Sequence, residues 1–212
     1  MSNARNLANL LGTGSTIATA KIADDAITAA KIATDAVVAD GLSSSAITSG
    51  DLPAGSVLQV IQTIKTDTAS TTSTSYSAIS GLSASITPSS TSSKIYVMVS
   101  LSASSTGGLN AGGAFRLYRG GSDIGSLNGG SSGNRTTAMA QSTSGTNSPW
   151  MVINSAVNLL DSPSSTSAQT YQVYWRAEET GTGSILNRGA DDADSTDRIR
   201  TSSSIVVMEI AG

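Results

Sequence analysis

Residues Lys94–Ala103 read KIYVMVSLSA, and large apolar side chains occupy every second position of this stretch. These positions are Ile95, Val97, Val99 and Leu101. Because successive side chains of a β-strand point to opposite faces, a period of two predicts a strand with one face in a core. The stretch YQVYWRAE at residues 171–178 has the same pattern, with Tyr171, Val173 and Trp175 on one face. Both stretches therefore predict strands that bury one side.

The closing stretch SIVVMEIAG, residues 204–212, carries apolar residues at both sets of alternating positions. One set is Ile205, Val207 and Glu209, and the other is Val206, Met208 and Ile210. A strand that is apolar on both faces is typical of the interior of a sheet with both faces covered. We therefore predict that this last strand is buried on both sides.

Similar short runs of β-branched and aromatic residues recur throughout residues 55–212, separated by turn clusters of Ser, Thr, Gly, Asn and Pro. The predicted strands are Val57–Thr66, Ser75–Ile79, Ser83–Thr87, Lys94–Ala103, Gly113–Arg119, Asp123–Leu127, Arg135–Ser142, Trp150–Leu160, Thr170–Glu178, Ser184–Asn187 and Ser204–Ala211. About ten short strands with no long helix predict an all-β head, a β-sandwich of the jelly-roll type, over residues 55–212.

The composition of the 212-residue chain excludes several classes of function. Apolar residues make up 38% of the chain and aromatic residues only 4%, so the core must be built mainly from Val, Ile, Leu and Ala. The net charge of −3 and the scattered basic residues predict no nucleic-acid partner. The chain shows no basic-then-apolar leader and no apolar run near ~18 residues, so we expect neither a signal peptide nor membrane insertion.

Histidine and cysteine are absent, which removes the usual nucleophilic triads, thiolate chemistry and the common zinc sites. Carboxylates remain as candidate catalysts. Glu178 and Glu179 are adjacent in a predicted strand and point to opposite faces, so they do not form the carboxylate pair that glycoside hydrolysis needs. A pair that includes Glu209 stays open. We expect no enzymatic activity, no catalytic residue and no cofactor.

An acidic run, ADDADSTD, occupies residues 190–197. Its carboxylates belong to Asp191, Asp192, Asp194 and Asp197. Carboxylates this dense could hold Ca²⁺, which takes several oxygen ligands, although their spacing differs from that of an EF-hand loop. Arg188, Arg198 and Arg200 lie close by in the sequence and could neutralise the carboxylates instead. A solvated loop is therefore the first interpretation and calcium binding the alternative.

The first segment, residues 1–14, contains the stretch SNARNLANLL. Leu7, Leu10 and Leu11 fall at i, i+3 and i+4, which predicts one apolar face of a short helix. A helix of this length is not stable alone in water. We therefore expect it to need a docking partner or copies of itself.

The second segment, residues 15–54, is an internal repeat that contains AKIADDAIT, AKIATDAVV and DGLSSSAIT. Large apolar residues recur at every fifth position: Ile22, Ile27, Ile32, Val37, Leu42, Ile47 and Leu52. This spacing fits neither the period of about 3.6 of a helix nor the period of about 2 of a strand. Several chains wound around one axis could stack these residues in layers. We predict such a stem, with a flexible Ala/Ser-rich linker as the alternative.

Three parts of the sequence resemble tail-fibre proteins of marine, cyanophage-like bacteriophages. The opening ARNLANLLG looks like their virion-attachment segment, and the repeats AKIADDAIT and AKIATDAVV are similar to those of their stems. The stretches VLQVIQTIKTDTASTTSTSYSAISGLSASITPSSTSSKIYVMVSLSAS, LDSPSSTSAQTYQVYWRAE and IVVMEIAG resemble their C-terminal head domain. Together these stretches cover most of the chain.

The resemblance implies an intertwined homotrimeric fibre in the virion, bound through its N-terminus to a phage tail, neck or baseplate protein. The attachment residues would be Arg5, Asn6, Leu7, Leu10 and Leu11. The trimer core of the stem would be Ile22, Ile27, Ile32, Val37, Leu42 and Ile47. Only about three repeats are present, whereas stacked repeat stems are often longer. A host-reaching fibre, a short tail fibre and a spike-like decoration therefore all stay open.

The distal head would serve to recognise the host surface, with a cell-surface glycan as the candidate partner. We expect the contacts in three loops, Ser104–Ala111, Gly129–Asn134 and Ser144–Pro149, because loops on a rigid scaffold commonly carry recognition. Individual receptor residues do not follow from the sequence. Aromatic side chains could stack on sugars, but we expect most of them in the core or in subunit contacts. The alternatives are a purely structural virion protein and a polysaccharide depolymerase.

Overall fold

The computed structural model describes residues 47–107, 112–143 and 149–212, together with Ile27 and Ile32. The chain divides into two units, Met1–Thr48 and Ser49–Gly212. The second unit begins with a short 3-10 helix, Ser49–Asp51, and continues in strands. The strands are β1 (Val57–Lys65), β2 (Ala69–Thr71), β3 (Ser77–Ile86), β4 (Lys94–Thr106), β5 (Gly112–Arg119), β6 (Ser122–Asp123), β7 (Ala140–Thr143), β8 (Ile153–Asp161), β9 (Gln169–Ala177), β10 (Gly183–Leu186) and β11 (Ser203–Ile210).

The strands form two sheets in which every pair of neighbours is antiparallel. The β1 sheet has the order β1-β11-β4-β8. The short strand β2 is collinear with β1, and β10 is collinear with β11. The β3 sheet has the order β3-β9-β5, and β6 and β7 share the remaining edge of β5. Successive long strands alternate between the two sheets, which is the connectivity of a jelly roll. The all-β, sandwich-like head predicted from the sequence is confirmed.

One hydrophobic core lies between the sheets, and the strands with a period of two supply most of it. The inward residues of β4 and β9 are almost fully buried, as their alternation predicts. The cluster also holds Phe115 and Trp175, whose ring centroids lie 6.3 Å apart. On β11, Ile205, Val207 and Glu209 are buried. The prediction that β11 is buried on both sides is wrong, since its opposite side chains are only half-buried.

The two strands predicted at Ser75–Ile79 and Ser83–Thr87 are one strand, β3, with an irregularity in the middle. Its register on β9 shifts between Ala78 and Ser83. Gly81 sits in this interval with a φ of +77°, a conformation that residues with a Cβ rarely adopt. The glycine therefore lies within an irregularity of one strand rather than between two strands.

Other parts of the prediction also differ from the structure. The strand predicted at Asp123–Leu127 is wrong, since β6 covers only Ser122–Asp123. The sequence pattern missed β2, whose three residues are too short to show a period. β7 begins at Ala140 rather than at Arg135, because the preceding residues belong to a long connection. β4 continues to Thr106, so the first residues of the loop predicted at Ser104–Ala111 are part of a strand.

Asn187 joins two collinear strands of the β1 sheet. β10 and β11 both pair with β4, and residues 187–202 leave the sheet between them. Asn187 is fully buried and has a φ of +64°. Its side-chain amide donates to the carbonyls of Lys65 (2.8 Å) and Asp67 (2.9 Å), and its Oδ1 accepts from Ser203 (2.7 Å). Its side chain thus joins the backbone at the end of β1 to the start of β11.

The two ends of the sandwich carry different parts of the chain. We call the end at which β1 begins, with Val57 opposite Ile210 of β11, the near end. The far end is where β4 and β9 stop, at Thr106 and Ala177. Since Ser49 lines the same small pocket as Gly212, the second unit also begins at the near end.

Most predictions for the first two segments lie outside the described residues. These are the N-terminal helix with Arg5, Asn6, Leu7, Leu10 and Leu11, and the stem positions Ile22, Val37 and Leu42. The stem positions Ile27, Ile32 and Ile47 are described, and all three side chains are exposed. Among the residues that the structure describes, no helix has the length and apolar character that a membrane span requires.

Candidate functional site

Of the three predicted recognition loops, one is described in full. Residues 108–111 and 144–148 lie outside the described residues, so these two loops are described only at their edges. Gly129–Asn134 is described and exposed, and the connection that carries it rests against the edge of β5. That connection is bonded at Ile124 to Leu117 and at Met139 to Phe115. It therefore projects from the side of the sandwich rather than from its far end.

Trp150 lies just before β8, although the sequence pattern predicted a strand over Trp150–Leu160. Its side chain is 53% exposed. The neighbouring carbonyl of Pro149 accepts a hydrogen bond from the backbone N–H of Asp191 (3.0 Å). A Cβ at Gly189 would lie 2.7 Å from that carbonyl oxygen and 2.9 Å from Cα of Trp150, so only glycine permits this approach. The exposed indole is therefore held at a fixed position on the loop that leaves the β1 sheet.

Arg198 holds the ring of Trp150 from one side. Its guanidinium carbon lies 4.5 Å from the ring centroid, within the range of a cation–π contact. The guanidinium is itself held by Asp191, at 2.7 Å, and by Asp197, at 2.5 Å. We name Trp150, Gly189, Asp191, Asp197 and Arg198 the Trp150 platform. It presents a large, flat and rigidly supported aromatic surface to solvent.

The carboxylates of the acidic run are paired with arginines. Arg188 and Arg200 both contact Asp192, at 3.5 and 2.6 Å, in addition to the two pairs of Arg198. The hydrogen bond from Arg198 holds the pKa of Asp191 below its usual range, so this pair stays charged at neutral pH. Within the part of the chain that the structure describes, no group of three or more potential protein ligands converges on a metal position. These arginine pairs support the solvated loop over the calcium alternative.

Arg116 fixes the connection that carries Gly129–Asn134. Its Nε and one terminal nitrogen donate to the carbonyl (3.0 Å) and hydroxyl (2.7 Å) of Thr137, and the other pairs with Asp123 at 2.8 Å. The guanidinium carbon lies 4.4 Å from the ring centroid of Tyr76, whose hydroxyl donates to the same Thr137 carbonyl. A polar cluster on the outer side of the β3 sheet thus anchors one predicted recognition loop.

We expect Arg116→Ala to release this connection without unfolding the head. The loss of the fork of hydrogen bonds should cost about 1 kcal/mol locally, which corresponds to a roughly fivefold rise in local opening. Arg135 lies exposed in the connection, so tryptic cleavage after it should accelerate by about that factor. The double variant with Arg135→Gln controls for the site of cleavage. An unchanged rate in Arg116→Ala would show that other contacts hold the connection.

The carboxylates considered for hydrolysis do not form a catalytic pair. Glu209 is 1% exposed, and Gln59, the backbone and hydroxyl of Ser89, and the hydroxyl of Ser93 donate to it over 2.6–2.7 Å. Burial raises its pKa, but these four hydrogen bonds outweigh burial and hold the pKa below the ordinary value. Glu178 accepts from Gln141 at 2.8 Å and stands at the far end. Glu209 therefore has a structural part at the near end.

The sequence predicts that most aromatic side chains lie in the core or in subunit contacts, and only some of them lie in the core. Tyr171 and Trp175 belong to the core. Tyr118 and Tyr174 stack on each other on the outer side of the β3 sheet, with ring centroids 3.8 Å apart. Trp150 is the aromatic residue that sequence reasoning placed wrongly, and the glycine and arginine of its platform are more than thirty positions away in the sequence.

No protein-family model matches this chain, and no curated protein matches its sequence.

Proposed function

We propose that this protein is a structural component of a bacteriophage virion, a short homotrimeric tail fibre whose head recognises a glycan on the host surface. The N-terminal segment would attach to a tail, neck or baseplate protein, and the repeats of residues 15–54 would wind into a fibrous stem. The proposal rests on the resemblance of three stretches of the sequence to marine phage fibres. It takes support from the all-β head and from the exposed Trp150 platform.

The observation that carries recognition is the exposure of Trp150 on a rigid support. Sugars present apolar C–H faces and polar rims, so a flat aromatic ring with neighbouring carboxylates suits them. A ring that is already held by Arg198 loses little conformational entropy on binding, which favours affinity. Three platforms in one trimer would then multiply weak contacts through avidity.

The stem draws support from its exposed apolar side chains. Ile27, Ile32 and Ile47 are large, apolar and exposed in the isolated chain, and they stand at the predicted spacing. Copies of the chain around one axis would bury them in layers. A purely structural virion protein would assemble in the same way but would not bind cells, so binding separates the two functions.

We expect Trp150→Ala to abolish binding of the labelled full chain to host cells. A central tryptophan commonly contributes about 2 kcal/mol or more to an interface, which is roughly 30-fold in affinity per site. The measurement is flow cytometry over a panel of marine cyanobacterial strains, with Ile199→Ala as the matched control. Ile199 is 71% exposed and follows Arg198 in the sequence, but it is not one of the platform residues.

Two outcomes would contradict the recognition part of the proposal. Equal binding by the parent chain and Trp150→Ala would remove the platform as the contact site. Binding to no strain and to no isolated surface polysaccharide would favour the purely structural protein. Release of reducing sugars during the same incubation would instead point to a depolymerase.

A further inference from the structure

One row on the outer side of the β1 sheet is apolar over all four neighbouring strands. Val60 of β1, Met208 of β11, Tyr96 of β4 and Leu160 of β8 stand in register in one row across the sheet. In the next row Val206 and Met98 are paired, and the polar Gln62 and Asn158 flank them. We name the six apolar residues of these two rows the apolar face. Val60 and Leu160, at its two sides, are 55% and 57% exposed.

The β3 sheet shows the contrast within the same molecule. Its outward positions on β5 and β9 carry polar or amphipathic side chains: Arg116, Tyr118, Gln172, Tyr174 and Arg176. A sheet with one solvated face ordinarily has polar residues on that face, and the β3 sheet follows this pattern. The β1 sheet departs from it, although its inner face already fills the core. Apolar patches of several hundred Å² or more on a folded chain mark interaction surfaces.

We propose that the apolar face is the surface on which the heads of neighbouring copies of this chain pack against one another. This inference rests on the proposed homotrimer. The six residues carry no charge, and the outward cation on β4, Lys94, lies beyond the rows and donates to Ser162 (3.0 Å). A charged partner would bury unpaired charge against this face, which is costly, whereas a copy brings an equally uncharged surface.

The size of the apolar face also favours copies that are tethered. A stable interface between free proteins buries about 800 Å² per partner, and six residues that are partly buried already expose less than that. Such a face associates weakly alone. Copies that are joined by the stem experience a high effective concentration, which converts a weak contact into a persistent one. The exposed Ile27, Ile32 and Ile47 of the repeat are the side chains that the stem would bury when it joins the copies.

The absence of cysteine allows a direct test in the full chain. Leu160→Cys places one thiol on the apolar face, and Ala78→Cys places one on the exposed outer side of the β3 sheet. The rate of maleimide labelling is measured for each variant under native conditions, and the mass of the same samples is measured by light scattering. If heads pack through the apolar face, Leu160→Cys should react at least about tenfold more slowly, because labelling then requires opening of the interface.

Each combination of results decides between the two proposals. A trimer with Leu160→Cys protected supports the interface. A trimer in which both thiols react at equal rates overturns it and leaves the fibre assembled by its stem. A monomer with equal rates overturns both proposals. A monomer with Leu160→Cys protected shows that the chain covers the face itself, which also overturns the interface.

Discussion

Replacing Glu209 with alanine is expected to destabilise the head by about 3 kcal/mol or more, a large part of the stability of an ordinary domain. The carboxylate is buried at the near end and accepts four hydrogen bonds from Gln59, Ser89 and Ser93. Alanine removes the acceptor and leaves the buried Ser93 hydroxyl without its partner. Loss of one partner from a buried polar cluster costs more than the net value of its hydrogen bonds.

The contribution of Glu209 to the free energy of unfolding should decrease at acidic pH. Its folded pKa lies below the ordinary value of 4.5, so the unfolded chain binds the proton more readily. The stabilisation is therefore fully present above about pH 4.5 to 5 and is lost as the pH falls through the folded pKa. Glu209→Gln keeps the shape of the side chain without this titration.

Urea unfolding of the parent chain, Glu209→Gln and Glu209→Ala between pH 3 and pH 7 measures both effects. We expect the difference in free energy of unfolding between the parent chain and Glu209→Gln to become smaller as the pH is lowered. A difference that is constant with pH would show that the Glu209 carboxyl has the same pKa in the folded and unfolded chains, which contradicts a folded pKa lowered by these hydrogen bonds. A loss below about 1 kcal/mol in Glu209→Ala would show that loop 87–93 does not depend on it.

Asn187→Ala is expected to have a comparable effect, about 3 kcal/mol, for a different reason. The side chain bonds to the carbonyls of Lys65, at the end of β1, and Asp67, and to Ser203 at the start of β11. Alanine removes all three of these hydrogen bonds, and two of them are buried. It must also adopt a φ of +64°, which asparagine tolerates and alanine does not.

Asn187→Gly separates the two causes, because glycine adopts the same backbone conformation without strain. We expect Asn187→Gly to be more stable than Asn187→Ala by about 1 kcal/mol, although it lacks the same hydrogen bonds. Thermal unfolding followed by circular dichroism ranks the parent chain, Asn187→Gly and Asn187→Ala by their stability. If Asn187→Gly equals the parent chain in stability, the side-chain bonds contribute nothing and the backbone conformation alone explains the asparagine.

Periodicity was informative wherever one strand face lies in the core. The strands β4 and β9 could be predicted because their inward residues fill the space between the sheets. The same reasoning failed on β11, because an outward apolar residue in a sequence looks like a buried one. Val206 and Met208 are half-buried on the apolar face, so the excess of apolar residues there indicates a surface rather than a second core.

The candidate site could not be predicted because its contacts are distant in the sequence. Trp150 looked like the first residue of a strand, and only the pairing of β4 with both β8 and β10 brings Gly189 against it. Asn187 looked like the last residue of a strand for the same reason. The clusters of glycine, serine and asparagine did indicate where loops lie, but Gly129–Asn134 proved to belong to the side of the sandwich.

The mass of the full chain in solution, measured by light scattering after gel filtration, shows whether the protein is a trimeric fibre. We expect a species of three chains of 21.2 kDa each that persists on dilution to low micromolar concentration. A well-folded species with the mass of one chain would contradict it. The protein would then be a single β-sandwich, and the apolar face and the exposed isoleucines of the repeat would need another partner.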